Sequence, residues 1–208
     1  NKNKVFEAGS FSDTTTLDSK VIFALGAVDG TNSPNVTTAS YMVQGNLNSS
    51  FTGDDNLYVR LKSGNTPGAF NSKDFGTYLN SSKGNSDTLR VDKIWYSFPI
   101  GERQTVWIGP KIENYYMHAT TPSIYAPVTK QFSLGGNGAA YGASTNPGIG
   151  WAYKADNGFA ISTNATSDGD TTNGWGTSES ATSWATQIGY TKPTYSASLI
   201  VNNKYNGW

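Results

Sequence analysis

Two cationic side chains lie two residues apart in the segment LYVRLKSG, residues 57–64. Arg60 and Lys62 alternate there with leucine and valine, and Tyr58 continues the same set. Successive side chains of an extended strand point to opposite faces, so these three residues share one face. Fixed cations beside a narrow aqueous path bias which ions enter it, which is electrostatic selection rather than covalent chemistry.

Residues suited to catalysis or to metal binding are few. The chain has no cysteine, which excludes disulfides, thiol catalysis and thiolate metal sites. His118 is the only histidine, and no nucleophile elbow or carboxylate pair accompanies it. The segment 168–174 is spaced somewhat like a calcium loop, but Thr172 stands at the third ligand position and Gly174 comes one residue late. We therefore predict no catalytic residue, no metal site and no cofactor, in a protein that is not an enzyme.

Alternation marks the strands that must position the polar side chains. In YMVQGNLNSSF, residues 41–51, the odd positions are mostly apolar and the even positions mostly carry amides and hydroxyls. Gln44, Asn46 and Asn48 therefore share the polar face of this strand. The same period along the chain predicts nine strands, near 16–28, 38–51, 56–64, 88–98, 105–111, 148–154, 159–165, 182–190 and 195–203.

Two all-β architectures fit this pattern. A soluble sandwich would bury the apolar face in a core, whereas a membrane barrel would turn it to lipid and keep the amides around a wet lumen. Charged residues make up 14% of the chain, where soluble domains average about 25%, and this favours the barrel. The sequence has no apolar run of about 18 residues, so only a barrel would let it span a bilayer. Equal numbers of basic and acidic residues, 15 of each, predict no nucleic-acid partner.

The lengths of the connections also favour the barrel. The even-numbered connections are short and contain turn residues, including Asn157-Gly158, a typical two-residue hairpin signal. The odd-numbered ones, at 29–37, 63–87, 112–147 and 166–181, are longer. Outer-membrane barrels sort short turns and long loops to opposite ends, and a cation facing lipid at bilayer depth costs about 2 to 4 kcal/mol. We therefore predict that the wet interior is lined by Gln44, Asn46, Asn48, Tyr58, Arg60 and Lys62.

Three segments carry a resemblance to a known family. They are FSDTTTLDSKVIFALGAVDG, SSFTGDDNLYVRLKSGN and LRVDKIWYSFPIGERQTVWIGPKI, and more loosely GIGWAYKADNGFAIS. In order, they resemble the opening barrel segments of cyanobacterial outer-membrane porins, the "iron uptake porin" group related to the carbohydrate-selective porins. The resemblance implies an outer-membrane channel for small hydrophilic solutes and inorganic ions, including iron species and sugars. It also implies contact with outer-membrane lipid and a homotrimer.

Residues 1–208 are expected to form part of a larger barrel. Porins of this group carry an N-terminal surface-layer-homology segment and a coiled coil before the barrel, and further strands after the region that matches. Nine strands are also an odd number where single-chain bacterial barrels have an even one, although Val5 to Phe11 would supply an extra strand. The fold class we expect is all-β: an antiparallel transmembrane β-barrel, of which this chain is one incomplete domain.

The longest connection, residues 112–147, suggests a constriction by analogy with general porins, in which the third outer loop folds into the lumen. Lys111, Glu113 and Lys130 would then meet the solute. The alternative is a loop packed outside the mouth of the barrel. The sequence leaves both arrangements open.

A rival interpretation belongs to another functional class. A soluble β-sandwich that binds carbohydrate would present exposed tryptophans to stack on sugar rings. Trp151, Trp175 and Trp184 are the candidates for that role. The need for detergent to keep the protein in solution separates the two interpretations.

Overall fold

The computed structural model describes residues 14–29, 36–71, 76–121, 127–134, 145–169 and 172–206. Within these ranges the fold is all-β, with nine antiparallel strands and only very short helices. Contacts divide the chain into two compact units, Asn1–Asp92 and Lys93–Trp208, and the division falls inside the fourth strand. Nowhere in the described ranges is there a helix of the length and apolar character needed to cross a membrane.

The first unit is built on a three-stranded antiparallel meander. Its strands are β1, Thr15–Gly26, β2, Thr38–Ser49, and β3, Asn56–Gly64, with β2 in the middle. A one-turn helix, α1, Gly68–Asn71, follows β3. The next strand, β4, Arg90–Ile100, begins in this unit and continues into the second.

The second unit is also a meander in sequence order. The remainder of β4 pairs with β5, and each later strand pairs with the one before it. Two 3-10 helices, Asn114–Met117 and Lys130–Phe132, lie between β5 and β6. The strands are β5, Gln104–Ile112, β6, Asn146–Lys154, β7, Phe159–Ser167, β8, Thr182–Lys192, and β9, Tyr195–Tyr205.

All nine predicted strands are present, each with ends within two residues or so of the prediction. The antiparallel sheet is open, since among the described residues β1 pairs only with β2 and β9 only with β8. The extra strand considered at 5–11 lies outside the described residues. Residues 155–158 form the connection that the predicted strand bounds leave between β6 and β7. Gly158 alone takes a positive φ there, +101°, and its N–H donates to the carbonyl of Ala155.

The two faces of the strands reverse the usual arrangement of a soluble protein. On β7 and β8 the side chains of Ser162, Ser183 and Gln187 are fully buried. The apolar side chains point the other way, and Phe23 of β1 is 84% exposed and Leu199 of β9 71% exposed. Each unit therefore presents an apolar surface outward and keeps polar side chains on the opposite face.

Candidate functional site

Asn46 is the centre of the hydrogen bonds on the polar face of the first unit. Its Oδ1 accepts from Gln44 Nε2 at 3.1 Å, from Tyr58 Oη at 2.9 Å and from Arg60 Nε at 3.0 Å. The guanidinium carbon of Arg60 lies 5.5 Å from the centre of the Tyr58 ring. These contacts fix the direction of the arginine along the strand surface.

The other two residues predicted for this face lie beside that centre. Lys62 is opposite Gln44 in the register of β2 and β3, and Asn48 is opposite Tyr58. Asn48 Oδ1 accepts from Asn56 Nδ2 at 3.0 Å. All six residues predicted from alternation therefore share one face of β2 and β3, and their role beside a solute stays a prediction.

Two charged residues of β1 belong to the same face, and sequence reasoning did not single them out. Asp18 Oδ2 accepts from Asn46 Nδ2 at 3.2 Å, and Lys20 Nζ donates to Ser81 Oγ at 2.7 Å. The signal was available, because in LDSKVIF these two residues alternate with Leu17 and Val21 in the same way as Arg60 does with its neighbours.

The polar face of the second unit is covered by the chain that follows β5. We call residues 114–120 the docked segment. Gln187 Oε1 accepts from the backbone N–H of Thr120 at 2.9 Å, and Gln187 Nε2 donates to the carbonyl of Thr120 at 2.6 Å. Ser162 Oγ accepts from the N–H of Ala119 at 3.0 Å. Side chains of β7 and β8 thus satisfy backbone groups of the docked segment.

Two glycines leave room for the docked segment. A Cβ placed on Gly150 of β6 would lie 2.6 Å from Met117 Sδ and 2.8 Å from Met117 Cβ. A Cβ on Gly189 of β8 would lie 2.5 Å from Thr120 Cβ. Real Cβ atoms do not approach this closely, so side chains are absent where the segment rests on the strands.

A buried ion pair stands at the start of the docked segment. Lys93 Nζ lies 2.8 Å from Glu113 Oε1, and both side chains are largely buried. Thr145 Oγ1 accepts from Lys93 Nζ at 3.3 Å and donates to Glu113 Oε1 at 3.0 Å. The ammonium also lies 5.5 Å from the centre of the Tyr116 ring. The pair ties β4 to the chain that leaves β5.

The balance of charges keeps Glu113 ionised. Burial alone would raise its pKa, but the attraction of Lys93 and its hydrogen bond hold the pKa below the ordinary value, and Lys130 contributes less. The pKa of Tyr115 is raised, first by burial and then by the negative charge of Glu113. Glu113 therefore acts as a fixed anion and Tyr115 as a neutral phenol.

The three residues predicted for a constriction are not equivalent. Glu113 is buried with Lys93, which the sequence analysis missed although it alternates with Ile94 in β4. Lys130 lies in the second 3-10 helix and its charge acts on Glu113. Lys111 is exposed at the end of β5, beside the fully buried Ile112.

Two of the three tryptophans of the rival interpretation share a groove, whereas Trp175 Nε1 donates to the carbonyl of Pro147 at 3.0 Å. Trp151 and Trp184 line an apolar groove of about 440 Å³ on the outward face of β6 to β8, with Thr163 and Ala165 on its floor. Trp151 Nε1 donates to Gln104 Oε1 at 2.9 Å, and Trp184 Nε1 donates to Thr163 Oγ1 at 2.9 Å. The two indole N–H groups of the groove are thus bonded within the protein.

His118 lies in the docked segment, in the loop between β5 and β6, and its side chain is buried. Its Nδ1 is 3.4 Å from Asn164 Nδ2 of β7. Across the described ranges, no three histidine, cysteine, aspartate or glutamate side chains are grouped so as to hold a metal ion. The histidine packs between the segment and the strands.

No family model matches this chain, whereas a curated protein does show similarity to it. The relative is the uncharacterized protein alr4550 of Nostoc sp. (strain PCC 7120 / SAG 25.82 / UTEX 2576), which is 31% identical over 179 residues. The match covers 76% of this chain and 28% of the relative. The chain therefore spans little more than a quarter of the length of the protein that it matches.

Proposed function

We propose that this chain forms part of the wall of an outer-membrane β-barrel through which small hydrophilic solutes and inorganic ions diffuse passively. The observation that carries the proposal is the reversal of the two faces, with apolar side chains outward and hydrogen-bonded polar side chains on the opposite face. A transmembrane barrel has this arrangement because its outer surface meets lipid and its interior meets water.

The outward surface supports lipid as its environment. Val21, Phe23 and Leu25 are exposed on β1, and Ile188, Leu199 and Val201 are exposed on β8 and β9. Each square ångström of apolar surface kept from water contributes about 25 cal/mol, so a row of such side chains in water would be costly. Exposed apolar patches of this extent mark interaction surfaces, and hydrocarbon is the partner that fits both units alike.

The polar face supports an aqueous path. In the first unit, Arg60 and Lys62, with Gln44, Asn46, Asn48 and Tyr58, would line water. In the second unit, the docked segment would lie between the polar face and water. Glu113 and Lys130 lie at that segment, and we place Lys111 at the rim. The family resemblance extends the solutes to iron species and sugars, in a homotrimer embedded in outer-membrane lipid.

Planar bilayers test the proposal. The intact protein should insert and conduct ions, and replacement of both Arg60 and Lys62 by Gln should lower its preference for anions at low salt. The effect should shrink near 1 M salt, since screening shortens from about 10 Å at 0.1 M to about 3 Å. Lys154→Gln, an exposed lysine at the end of β6, serves as the control. A protein that stays in solution without detergent and does not conduct contradicts the proposal and favours the soluble carbohydrate-binding alternative.

A further inference from the structure

We propose that the polar face of β1 to β3 holds a binding site for a multivalent oxyanion of the phosphate or sulfate class, between Lys20 and Lys62. The site rests on the proposed function in one respect, namely that this face borders water through which solutes pass. It adds a ligand class and a further specificity-determining residue, Lys20.

The register of the three strands creates the site. Lys20 of β1 is opposite Gln44 of β2, and Gln44 is opposite Lys62 of β3. Neighbouring strands lie about 4.8 Å apart, so the two lysine backbones are about 10 Å apart with one amide between them. A lysine side chain is long enough for both ammonium groups to reach a tetrahedral anion above Gln44.

Lys20, Gln44 and Lys62 form one row across the three strands, and the neighbouring row adds a planar cation. Asp18, Asn46 and Arg60 are opposite one another across the same three strands. Arg60 is diagonal to Gln44, and its direction is set by the bond from Nε to Asn46 Oδ1 at 3.0 Å. Guanidinium groups favour planar, bidentate contacts with oxyanions, whereas lysine acts as a point charge. The two rows thus offer both kinds of donor.

The charges on this face favour an anion. In these two rows of residues, Lys20, Arg60 and Lys62 are cations and Asp18 is an anion. Asp18 is held by Asn46 Nδ2 at 3.2 Å. The connection that follows β3 brings Ser81 to Lys20 at 2.7 Å. The same connection carries Lys83, which forms an ion pair with Asp92 of β4 at 3.3 Å.

Accessibility agrees with a role in binding. Lys20 and Asp18 are exposed, and Gln44, Arg60 and Lys62 are half-buried. An anion that approaches over β1 therefore meets the exposed Lys20 first, and then the half-buried Gln44, Arg60 and Lys62. Multivalent anions should bind to such a row more tightly than chloride does, because each added negative charge is attracted to every cation in the row.

Equilibrium binding tests the site independently of conduction. Isothermal titration of the intact protein in zwitterionic detergent with inorganic phosphate, and separately with sulfate, should show binding at low salt. Lys20→Gln and Lys62→Gln should each weaken it about tenfold, the loss expected for one charge-assisted contact. Lys20→Arg should retain it, Asp18→Asn should tighten it, and Lys154→Gln should leave it unchanged.

Conductance measurements provide a second test of the site. Phosphate added to the aqueous phase of a zwitterionic bilayer should reduce the chloride current of the wild type and reduce it less in Lys20→Gln. Absence of phosphate and sulfate binding in the wild type, or equal binding in Lys20→Gln, overturns the site. A protein that binds phosphate through Lys20 but does not conduct contradicts the channel and leaves the site standing. Binding of a phospholipid headgroup but not of free phosphate overturns the assignment to a solute.

Discussion

The side-chain amide of Gln187 forms hydrogen bonds with both the backbone N–H and the backbone carbonyl of Thr120. Oε1 accepts from the Thr120 N–H at 2.9 Å, and Nε2 donates to the Thr120 carbonyl at 2.6 Å. The same amide lies 3.2 Å from Ser198 Oγ of β9, so its hydrogen bonds join the docked segment to two strands. Gln187 is fully buried, and water therefore does not compete for these bonds.

Replacement of Gln187 by Leu should release the docked segment. The change keeps most of the volume but leaves the N–H and carbonyl of Thr120 unpaired, at about 1 to 3 kcal/mol for each buried group. Amide exchange of residues 114–120 should accelerate while exchange in β7 and β8 changes less. Gln131→Leu, at an exposed position of the same connection, is the control. Unchanged exchange in Gln187→Leu would show that the amide does not hold the segment.

Gly189→Ala should disturb the same segment by a steric route. The new Cβ would stand 2.5 Å from Thr120 Cβ, and the strand backbone beneath cannot yield easily. Overpacking of this kind costs about 1 to 3 kcal/mol. The free energy of unfolding in urea and detergent measures it, with Gly68→Ala as the control, because a Cβ there meets nothing within 4 Å. Equal stabilities for the two variants would mean that the segment lies elsewhere in solution.

Acid should weaken the attachment of the docked segment. Because Lys93 holds the pKa of Glu113 below its ordinary value, the ion pair stabilises the folded state at and above that ordinary value. The stabilisation is lost as the pH falls through the lowered pKa. The free energy of unfolding should therefore decline below about pH 4.5 more steeply in the wild type than in Glu113→Gln. As a control, Glu179→Gln, at an exposed glutamate, should show the same dependence of stability on pH as the wild type. If Glu113→Gln also showed the wild-type dependence, the Lys93–Glu113 pair would not be the cause of the loss in acid.

The turn between β2 and β3 depends on one carboxylate. Asp55 Oδ1 accepts from Ser50 Oγ at 2.7 Å, from the N–H of Phe51 at 2.9 Å, and from the N–H and hydroxyl of Thr52, both at 2.8 Å. Asp55→Ala should lower the free energy of unfolding by about 3 kcal/mol, since several charge-assisted bonds are lost together. Asp54→Ala, at the exposed neighbour, should change it little. If both variants lost a similar amount of stability, the change in net charge and not the hydrogen bonds of Asp55 would be the cause.

The strands and their polar faces could be predicted because alternation is a local property. Arg60 and Lys62 reveal their common face from two-residue spacing alone, and the same rule would have placed Lys20 and Lys93 had it been extended to β1 and β4. The bounds of β2 differ mainly at its end, where Asp55 draws residues 50–52 into the turn.

The docked segment could not be predicted in the same way. Its position depends on contacts between residues far apart in sequence, such as Gln187 with Thr120 and Gly150 with Met117. In the sequence, Gly150 and Gly189 are indistinguishable from glycines that merely weaken a strand. Gln187 is likewise indistinguishable from any other polar residue on the inward face. Two-residue alternation carries no signal for contacts between residues so distant in sequence.

Site-directed spin labels on β9 test the central claim most directly, because the chain contains no cysteine of its own. Single cysteines at Leu199 and Val201 would carry labels on the apolar face, and cysteines at Ser198 and Asn202 would carry them on the polar face. With the intact protein in lipid vesicles, labels at 199 and 201 should collide with oxygen dissolved in the bilayer. Labels at 198 and 202 should collide instead with a water-soluble nickel chelate. Collision of the labels at 199 and 201 with the chelate, as strongly as those at 198 and 202, would contradict a lipid-facing wall.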